Sequence, residues 1–163
     1  MNTPDKPTIS ERPNTIPWPP ILYGCAILGG WLLGRHYPLP FLPGLLGEMA
    51  FMLGLILIVA AIFIDVRTFL ELRKHKTTIL PTKGAAHLVT SGPFSFSRNP
   101  IYLSNTGLTI GIGLASSNIW LFGTAIAAAF ATHNLAILRE EKHLTARFGN
   151  EWRKYAKRVR RWI

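Results

Sequence analysis

The stretch "PIYLSNTGLTIGIGLASSNIWLFGTAIAAAFATHNLAIL", residues 100–138, contains no Lys, Arg, Asp or Glu. A helix that spans a bilayer needs about 20 mostly apolar residues, and this run is long enough for two such helices. The residues "SSN" at 116–118 favour a turn, so they predict a hairpin in the middle of the run. We therefore predict two membrane spans, over residues 100–116 and 119–138, of which the first is short.

Two more apolar segments precede this run. They are "IPWPPILYGCAILGGWLLG", residues 16–34, and "GLLGEMAFMLGLILIVAAIFI", residues 44–64. Each has the length of a membrane span. The sequence thus predicts an all-α fold, an integral-membrane helical bundle of about four transmembrane helices within a single domain of residues 14–163. Residues 1–13 are polar and rich in proline, which is typical of a mobile tail.

The spacing of the glycines indicates close helix packing. Gly30 and Gly34, and also Gly107 and Gly111, lie four residues apart in apolar segments. Small residues at this spacing allow two helix backbones to approach each other. A close approach to a bound ligand is the alternative interpretation.

The composition supports a membrane protein. Only 16% of the 163 residues are charged and the mean hydropathy is +0.23, whereas soluble domains carry about 25% charged residues. The net charge of +10 is also compatible with nucleic-acid binding, but the basic residues cluster beside apolar segments. That placement is typical of contact with anionic membrane lipid, and we expect no nucleic-acid partner. The single cysteine, Cys25, excludes a disulfide framework and a cysteine-based metal site.

The distribution of Lys and Arg predicts the orientation in the membrane. Residues 65–99 and the segment after Leu138 are rich in both, the hairpin at 116–118 has neither, and the first link has only Arg35. Basic segments remain in the cytoplasm. We therefore predict an inner (cytoplasmic) membrane protein with both termini in the cytoplasm.

The C-terminal segment has the pattern of an amphipathic helix. Its apolar residues recur at helical spacing, while most other positions are Lys or Arg. The apolar residues are Leu144, Phe148, Trp152, Tyr155, Val159 and Trp162. We predict an interfacial helix over about residues 139–162, with Gly149 as a candidate break.

Polar residues frame the apolar run on both sides. Before it, Pro100 is suited to the first turn of a helix. The free N–H groups of such a turn favour an anion, and the planar guanidinium of Arg98 favours a carboxylate in particular. After it, Glu140 and Glu141 follow His133 by seven and eight residues, a spacing that predicts one helical face. Structural alternatives stay open: Arg98 can anchor topology, the acids can pair with basic neighbours, and His133 can be a packing residue.

An anion site together with two carboxylates suits a ligand that carries both a carboxylate and a positive charge. S-adenosylmethionine is such a ligand, although charge alone does not separate it from other zwitterions.

The order of motifs resembles the integral-membrane methyltransferases, which include isoprenylcysteine carboxyl methyltransferases and phospholipid N-methyltransferases. The segment "TTILPTKGAAHLVTSGPF" is similar to the bacterial branch, and the resemblance extends from Thr77 to Ile163. Two positions depart from the pattern: Asn99 stands where His is commoner, and Ser104 where Gly often follows the tyrosine. The matching residues are Gly92, Pro93, Phe94, Arg98, Asn99, Pro100, Tyr102, Arg139, Glu140, Glu141, Leu144, Phe148, Gly149, Trp152, Tyr155, Val159, Arg161 and Trp162.

This resemblance implies that S-adenosylmethionine binds at the cytoplasmic surface and that its methyl group passes to a lipophilic substrate from the bilayer. If the chain is such a methyltransferase, we expect Arg98 to hold the cofactor carboxylate, and Glu140 or Glu141 to hold its ammonium or ribose hydroxyls. We expect Glu141, or His133, to accept a proton where the acceptor is an amine or thiol. We thus take Arg98 and Glu141 as catalytic residues, with no metal. The implied cofactor-binding residues are Leu88, Val89, Gly92, Pro93, Arg98, Asn99, Tyr102, His133, Glu140 and Glu141.

Two other functions remain open. A non-enzymatic lipid-binding or assembly membrane protein accounts for the basic tail and the glycines, but not for the coupled motifs. A membrane oxidoreductase similar to sterol reductases shares a similar C-terminal pattern, although this chain is short for that class. The sequence makes no prediction of oligomeric state.

Overall fold

The computed structural model describes residues 16–77 and 86–163, and the regular structure within these ranges is entirely helical. The all-α prediction is therefore confirmed, while the predicted mobile tail at residues 1–13 lies outside the described residues. The elements are α1 (Trp18–His36), α2 (Gly44–Lys74), a 3₁₀ turn (Gly92–Ser95), α3 (Pro100–Ala115), α4 (Trp120–Thr132), a π-helical segment (His133–Ile137) and α5 (Leu138–Arg158).

Local sequence explains where α3 and α4 begin. Pro100 is the first residue of α3, as predicted, since a helix's first turn does not need the N–H that proline lacks. Ser117 adopts φ 51° in the hairpin, and the Asn118 side chain accepts a hydrogen bond from the Trp120 N–H at 3.1 Å. The hairpin predicted at residues 116–118 is therefore present.

The helices form an antiparallel bundle in which α2 packs on α3, α3 on α4 and α4 on α1. Near the start of α1, the Tyr23 hydroxyl donates to the main-chain oxygen of Tyr102 at 3.2 Å. Near the end of α1, the Gly30 oxygen accepts a hydrogen bond of 2.9 Å from Asn118 in the hairpin. The starts of α1 and α3 and the ends of α2 and α4 thus lie together, and we call this the basic end. The opposite end is the hairpin end.

Glycines bring the helix backbones close together. A Cβ added at Gly30 would lie 2.5 Å from Leu121 Cδ2 on α4, and one at Gly54 would lie 2.6 Å from the Ala115 nitrogen and 2.7 Å from the Gly111 oxygen on α3. The close packing predicted for Gly30 and Gly111 is confirmed, whereas Gly107 faces open space.

Two helices among the described residues are long and apolar enough to cross a membrane. One is α2, in which an 18-residue window has a mean hydropathy of 2.7, and the other is the long helix Trp120–Arg158, in which such a window has 1.6. Exposed apolar side chains run along α2, including Leu45 (71% exposed), Val59 (66%) and Phe63 (64%). The chain is therefore associated with a membrane, while the spans over α1 and α3 remain predictions, since α3 is only about 24 Å long.

The C-terminal helix differs from its prediction in one respect. Gly149 does interrupt α5, with φ 50° and ψ −114°. Part of the apolar stripe, however, is covered by the protein itself, because Trp152, Tyr155 and Val159 are buried and pack against Leu88 and Phe94. At these residues the apolar stripe therefore packs on the loop before α3, and contact of the helix with the membrane interface remains a prediction.

Candidate functional site

The loop before α3 is held between α2 and α5. Gly92 has φ +61°, a left-handed conformation that favours glycine, and a Cβ there would lie 3.2 Å from the Glu71 side chain. The Ser91 hydroxyl donates to Glu71 at 2.5 Å, and the Phe94 oxygen accepts a 2.7 Å hydrogen bond from the Tyr155 hydroxyl. Pro93 is buried beside them. The loop therefore has a fixed backbone directly before Arg98.

The chain beyond α5 binds to this loop through main-chain carbonyls. The Arg161 oxygen accepts hydrogen bonds from Asn99 Nδ2 at 2.9 Å and from the Ser97 hydroxyl at 3.3 Å. The Arg160 oxygen accepts one from the Arg98 N–H at 2.9 Å. Asn99, a predicted cofactor-binding residue, thus uses its side-chain amide to anchor the C-terminal segment.

Arg98 and Glu141, the two predicted catalytic residues, form an ion pair. Arg98 Nη1 lies 3.0 Å from Glu141 Oε1, and the Arg98 guanidinium carbon lies 5.5 Å from the centre of the Trp152 ring, where a cation–π interaction is favourable. Arg98 Nε is buried without a hydrogen-bond partner. Arg161 completes the group, because its Nε and Nη2 each donate to Glu141 at 2.8 Å.

Tyr102 and Glu140, two further predicted site residues, are also joined. The Tyr102 hydroxyl donates to Glu140 Oε1 at 2.6 Å. Glu140 lies in α5, beyond Leu138, the last residue of the uncharged apolar run. The residue as a whole is partly exposed, but its carboxyl group is densely surrounded, and this desolvation raises the pKa of Glu140 to about 7. The hydrogen bond from Tyr102 opposes the rise, and the charge of Glu141 adds to it.

His133 opens a π-helical segment that the spacing argument did not include. In His133–Ile137 the hydrogen bonds close a wider turn, so each residue rotates the chain less about the helix axis than in an α-helix. The seven-residue and eight-residue spacings to Glu140 and Glu141 therefore do not place His133 on their face by α-helical periodicity. Within the described part of the chain, His133 is partly buried and makes no hydrogen bond or ion pair with another predicted site residue.

The remaining predicted site residues, Leu88 and Val89, lie at the base of the loop. Leu88 packs against the buried residues Trp152, Tyr155 and Val159, and Val89 is itself buried. Both residues therefore support the position of the loop from the side of α5.

Two polar residues beside the site were not predicted. Arg161 was noted only as part of the C-terminal pattern, because a run of basic residues does not indicate which one faces inward. Asp65 follows the second predicted span directly, which was an available signal, and its carboxylate accepts a hydrogen bond from Ser104. Ser104, the departure from a glycine position, thus ties α3 to α2.

The structure contains no obvious metal centre among residues 16–77 and 86–163. No group of three or more His, Cys, Asp or Glu side chains in these ranges is arranged to hold an ion. The titratable groups of the site are instead arranged as the two pairs Arg98–Glu141 and Tyr102–Glu140.

Comparison with known proteins gives a family match and two partial relatives. The family model described as phospholipid methyltransferase matches residues 49–151, which is more than half of the chain. The nickel-cobalt-cadmium resistance protein NccN of Alcaligenes xylosoxydans xylosoxydans is 38% identical over 75 residues, covering 46% of this chain and 35% of that protein. The cobalt-zinc-cadmium resistance protein CzcN of Cupriavidus metallidurans is 35% identical over 72 residues, covering 44% of this chain and 33% of that protein. The chain thus spans about a third of the length of these relatives.

Proposed function

Because the chain belongs to the phospholipid methyltransferase family, we propose that it transfers a methyl group from S-adenosylmethionine to a lipophilic acceptor at the membrane surface. The observation that carries this proposal is the pairing of Arg98 with Glu141 beside the pairing of Tyr102 with Glu140. Each pair joins a residue that precedes the turn at 116–118 to a residue of α5. All four side chains therefore meet at the basic end of the bundle.

The unpartnered Nε of Arg98 fits the carboxylate of S-adenosylmethionine. A buried donor without a partner costs free energy, and a ligand oxygen that accepts its hydrogen bond removes this cost. The guanidinium has five N–H donors in a planar fork, of which Nη1 already contacts Glu141. Arg98 therefore has donors left to bind a carboxylate, and Trp152 holds its plane in place.

Glu140 fits a hydroxyl-bearing part of the same ligand, such as the ribose. Its carboxyl group is desolvated and accepts a hydroxyl from Tyr102, and it can accept a ligand hydroxyl in the same way. S-adenosylmethionine supplies an activated methyl group on a sulfonium, so the reaction depends mainly on alignment. Residues that hold two reactants in line can lower the barrier by about 7–11 kcal/mol.

Between the two acids, Glu140 is better suited to accept a proton from an amine or thiol acceptor. Glu141 accepts two hydrogen bonds from Arg161 and forms an ion pair with Arg98, and protonation would disrupt both. Glu140 accepts only the Tyr102 hydroxyl among the bonds described, and its pKa of about 7 matches a general base at neutral pH. A carboxylate acceptor needs no such base.

The acceptor and the orientation form part of the proposal. The apolar side chains exposed along α2 favour a substrate that arrives through the bilayer, with an amine, carboxylate or thiol at its polar end. The basic end, which receives the Lys- and Arg-rich segments, faces the cytoplasm in our proposal. Four helices then cross or enter the inner membrane, and the exposed basic face of α5 contacts anionic lipid. The exposed basic residues of that face are Arg153, Lys154, Lys157 and Arg158.

Calorimetric binding of S-adenosylhomocysteine, the demethylated product, to the detergent-purified protein tests the proposal. We expect saturable binding that Arg98→Ala weakens by roughly 10-fold to 100-fold, since a charge-assisted hydrogen bond is lost. Arg139→Ala is the matched control, because this neighbouring Arg is exposed. Absence of binding to folded wild-type protein would contradict the proposal and favour a non-enzymatic lipid-binding protein.

A further inference from the structure

Arg161 lies at the outer side of the site and contacts both of its halves. Its main-chain oxygen binds Asn99 in the loop before α3, while its guanidinium binds Glu141 in α5. The Arg161 side chain is 40% exposed, compared with 16% for Glu141 and 12% for Arg98. Arg161 thus covers Glu141 from the solvent side, and Arg98 contacts it from the protein side.

The charges of this group do not cancel. Two guanidinium groups share a single carboxylate, which leaves one positive charge in excess when Glu141 is ionised. Arg161 makes the bidentate contact, with both distances at 2.8 Å, whereas Arg98 makes one contact at 3.0 Å and has an unpartnered Nε. The excess positive charge and the free donor therefore both belong to Arg98.

We propose that Arg161 is a positioning residue, which neutralises Glu141 and so leaves Arg98 available for the carboxylate of the methyl donor. This inference rests on the proposed function. Without Arg161, Glu141 and Arg98 form a neutral pair of the bidentate kind that guanidinium and carboxylate groups favour. The carboxylate of Glu141 then competes with the ligand for the donors of Arg98 and repels it.

The experiment compares two ligands that differ only in the carboxylate. S-adenosylhomocysteine carries it, and its decarboxylated analogue retains the adenosine, the thioether and the amine. Binding of each is measured by calorimetry to the full chain in detergent micelles. The test variant is Arg161→Ala, which removes the side chain but retains the main-chain oxygen that Asn99 and Ser97 bind.

Arg160→Ala is the matched control for this variant. Arg160 is the adjacent residue, its side chain is exposed, and it also contacts the loop only through its main-chain oxygen. Arg161→Lys retains the charge and loses the bidentate fork. If Arg161→Ala does not show a cooperative thermal unfolding transition, Arg161→Gln replaces it, because Gln retains a donor without the charge.

We expect Arg161→Ala to weaken S-adenosylhomocysteine binding roughly 10-fold to 100-fold, the loss typical of a charged hydrogen bond. Binding of the decarboxylated analogue should change by less than about 3-fold, because that ligand does not use the freed donors of Arg98. Arg160→Ala should change neither affinity, and Arg161→Lys should restore part of the loss.

Equal weakening of both ligands would overturn the inference, since it would mean that Arg161 acts only on the shape of the site. Unchanged binding of S-adenosylhomocysteine would overturn it as well. Failure of the wild-type protein to bind either ligand is a distinct result, which refutes the proposed function and the inference with it.

Discussion

Glu140 and Glu141 are sequence neighbours that lie in opposite electrostatic environments. Glu141 is bound by two guanidinium groups, whereas Glu140 accepts a neutral hydroxyl from Tyr102. The difference gives the two acids separate roles. Glu141 organises the charges of the site, and Glu140 is the group that can change its protonation near neutral pH.

The raised pKa of Glu140 predicts how stability depends on pH. Burial raises this pKa from 4.5 to about 7, so the folded protein retains a proton that the unfolded chain releases near pH 4.5. The free energy of unfolding should therefore decrease by about 3 kcal/mol as the pH rises through this interval, and then level off. Thermal unfolding of wild type and Glu140→Gln in detergent, between pH 5 and 8, measures the difference.

We expect the Glu140→Gln variant to lose less stability than wild type over this pH range, because Gln does not titrate. Glu151→Gln, which changes an exposed acid, should behave as wild type. If the stability of wild type and of Glu140→Gln depends on pH in the same way, the pKa of Glu140 is not raised and its proposed role as a base fails.

Sequence reasoning reached the paired residues but not their arrangement. Arg98 and Glu141 were predicted as one site, because polar groups beside an apolar membrane segment are energetically costly and usually mark a functional site. Arg161 was not predicted, since its contacts depend on the chain after α5 returning to the loop before α3. No local pattern encodes that return.

At the scale of elements, α2 and α3 are joined along a seam of small residues. Gly54 on α2 lies against the backbone of α3 at Gly111 and Ala115. Backbone atoms cannot move aside as a flexible side chain does, so the space at Gly54 is fixed. The buried residues of α2 are Ala50, Gly54, Ala61, Thr68 and Leu72.

We predict that Gly54→Ala destabilises the fold by about 1–3 kcal/mol, because the added methyl group overpacks the seam. Gly107→Ala is the matched control, since a Cβ there meets no atom within 4 Å. Thermal unfolding followed by tryptophan fluorescence in detergent measures both variants. Equal midpoints for Gly54→Ala and wild type would mean that α2 and α3 separate easily.

The helices themselves were predictable, and their interruptions were less so. The apolar run and Pro100 predicted both ends of α3 and the start of α4 within one residue, whereas α4 ends at Thr132, six residues before the predicted end at 138. The π-helical segment at His133–Ile137 was missed, because its sequence is compatible with a regular helix. The burial of the α5 stripe was also missed, because an apolar helix face has the same sequence pattern whether lipid or protein covers it.

At the scale of the whole molecule, the bundle has chemically different ends. The basic end holds Arg98, Tyr102 and the acids of α5, while the hairpin end holds the uncharged turn at 116–118. The composition of the connecting segments was sufficient to predict this division.

Cysteine labelling tests the predicted orientation. Cys25 is the single native cysteine, so a Cys25→Ser background accepts one new cysteine at a time. In intact spheroplasts a membrane-impermeant maleimide should label Ser117→Cys, in the hairpin, and should label Arg153→Cys, on α5, only after lysis. Both positions are exposed. Labelling of Arg153→Cys before lysis would place the basic end outside the cytoplasm.

The π-helical segment gives the long helix Trp120–Arg158 one place where its length can change. A π turn takes up about one residue more than an α turn for nearly the same rotation, so removing one residue from His133–Ile137 and returning the segment to α-helix would leave Glu140 and Glu141 close to their present direction. Removing one residue from the regular helix Trp120–Thr132 would instead rotate both acids by about 100° around the axis relative to the start of α4. A one-codon deletion should therefore be tolerated better in the π-helical segment than in α4.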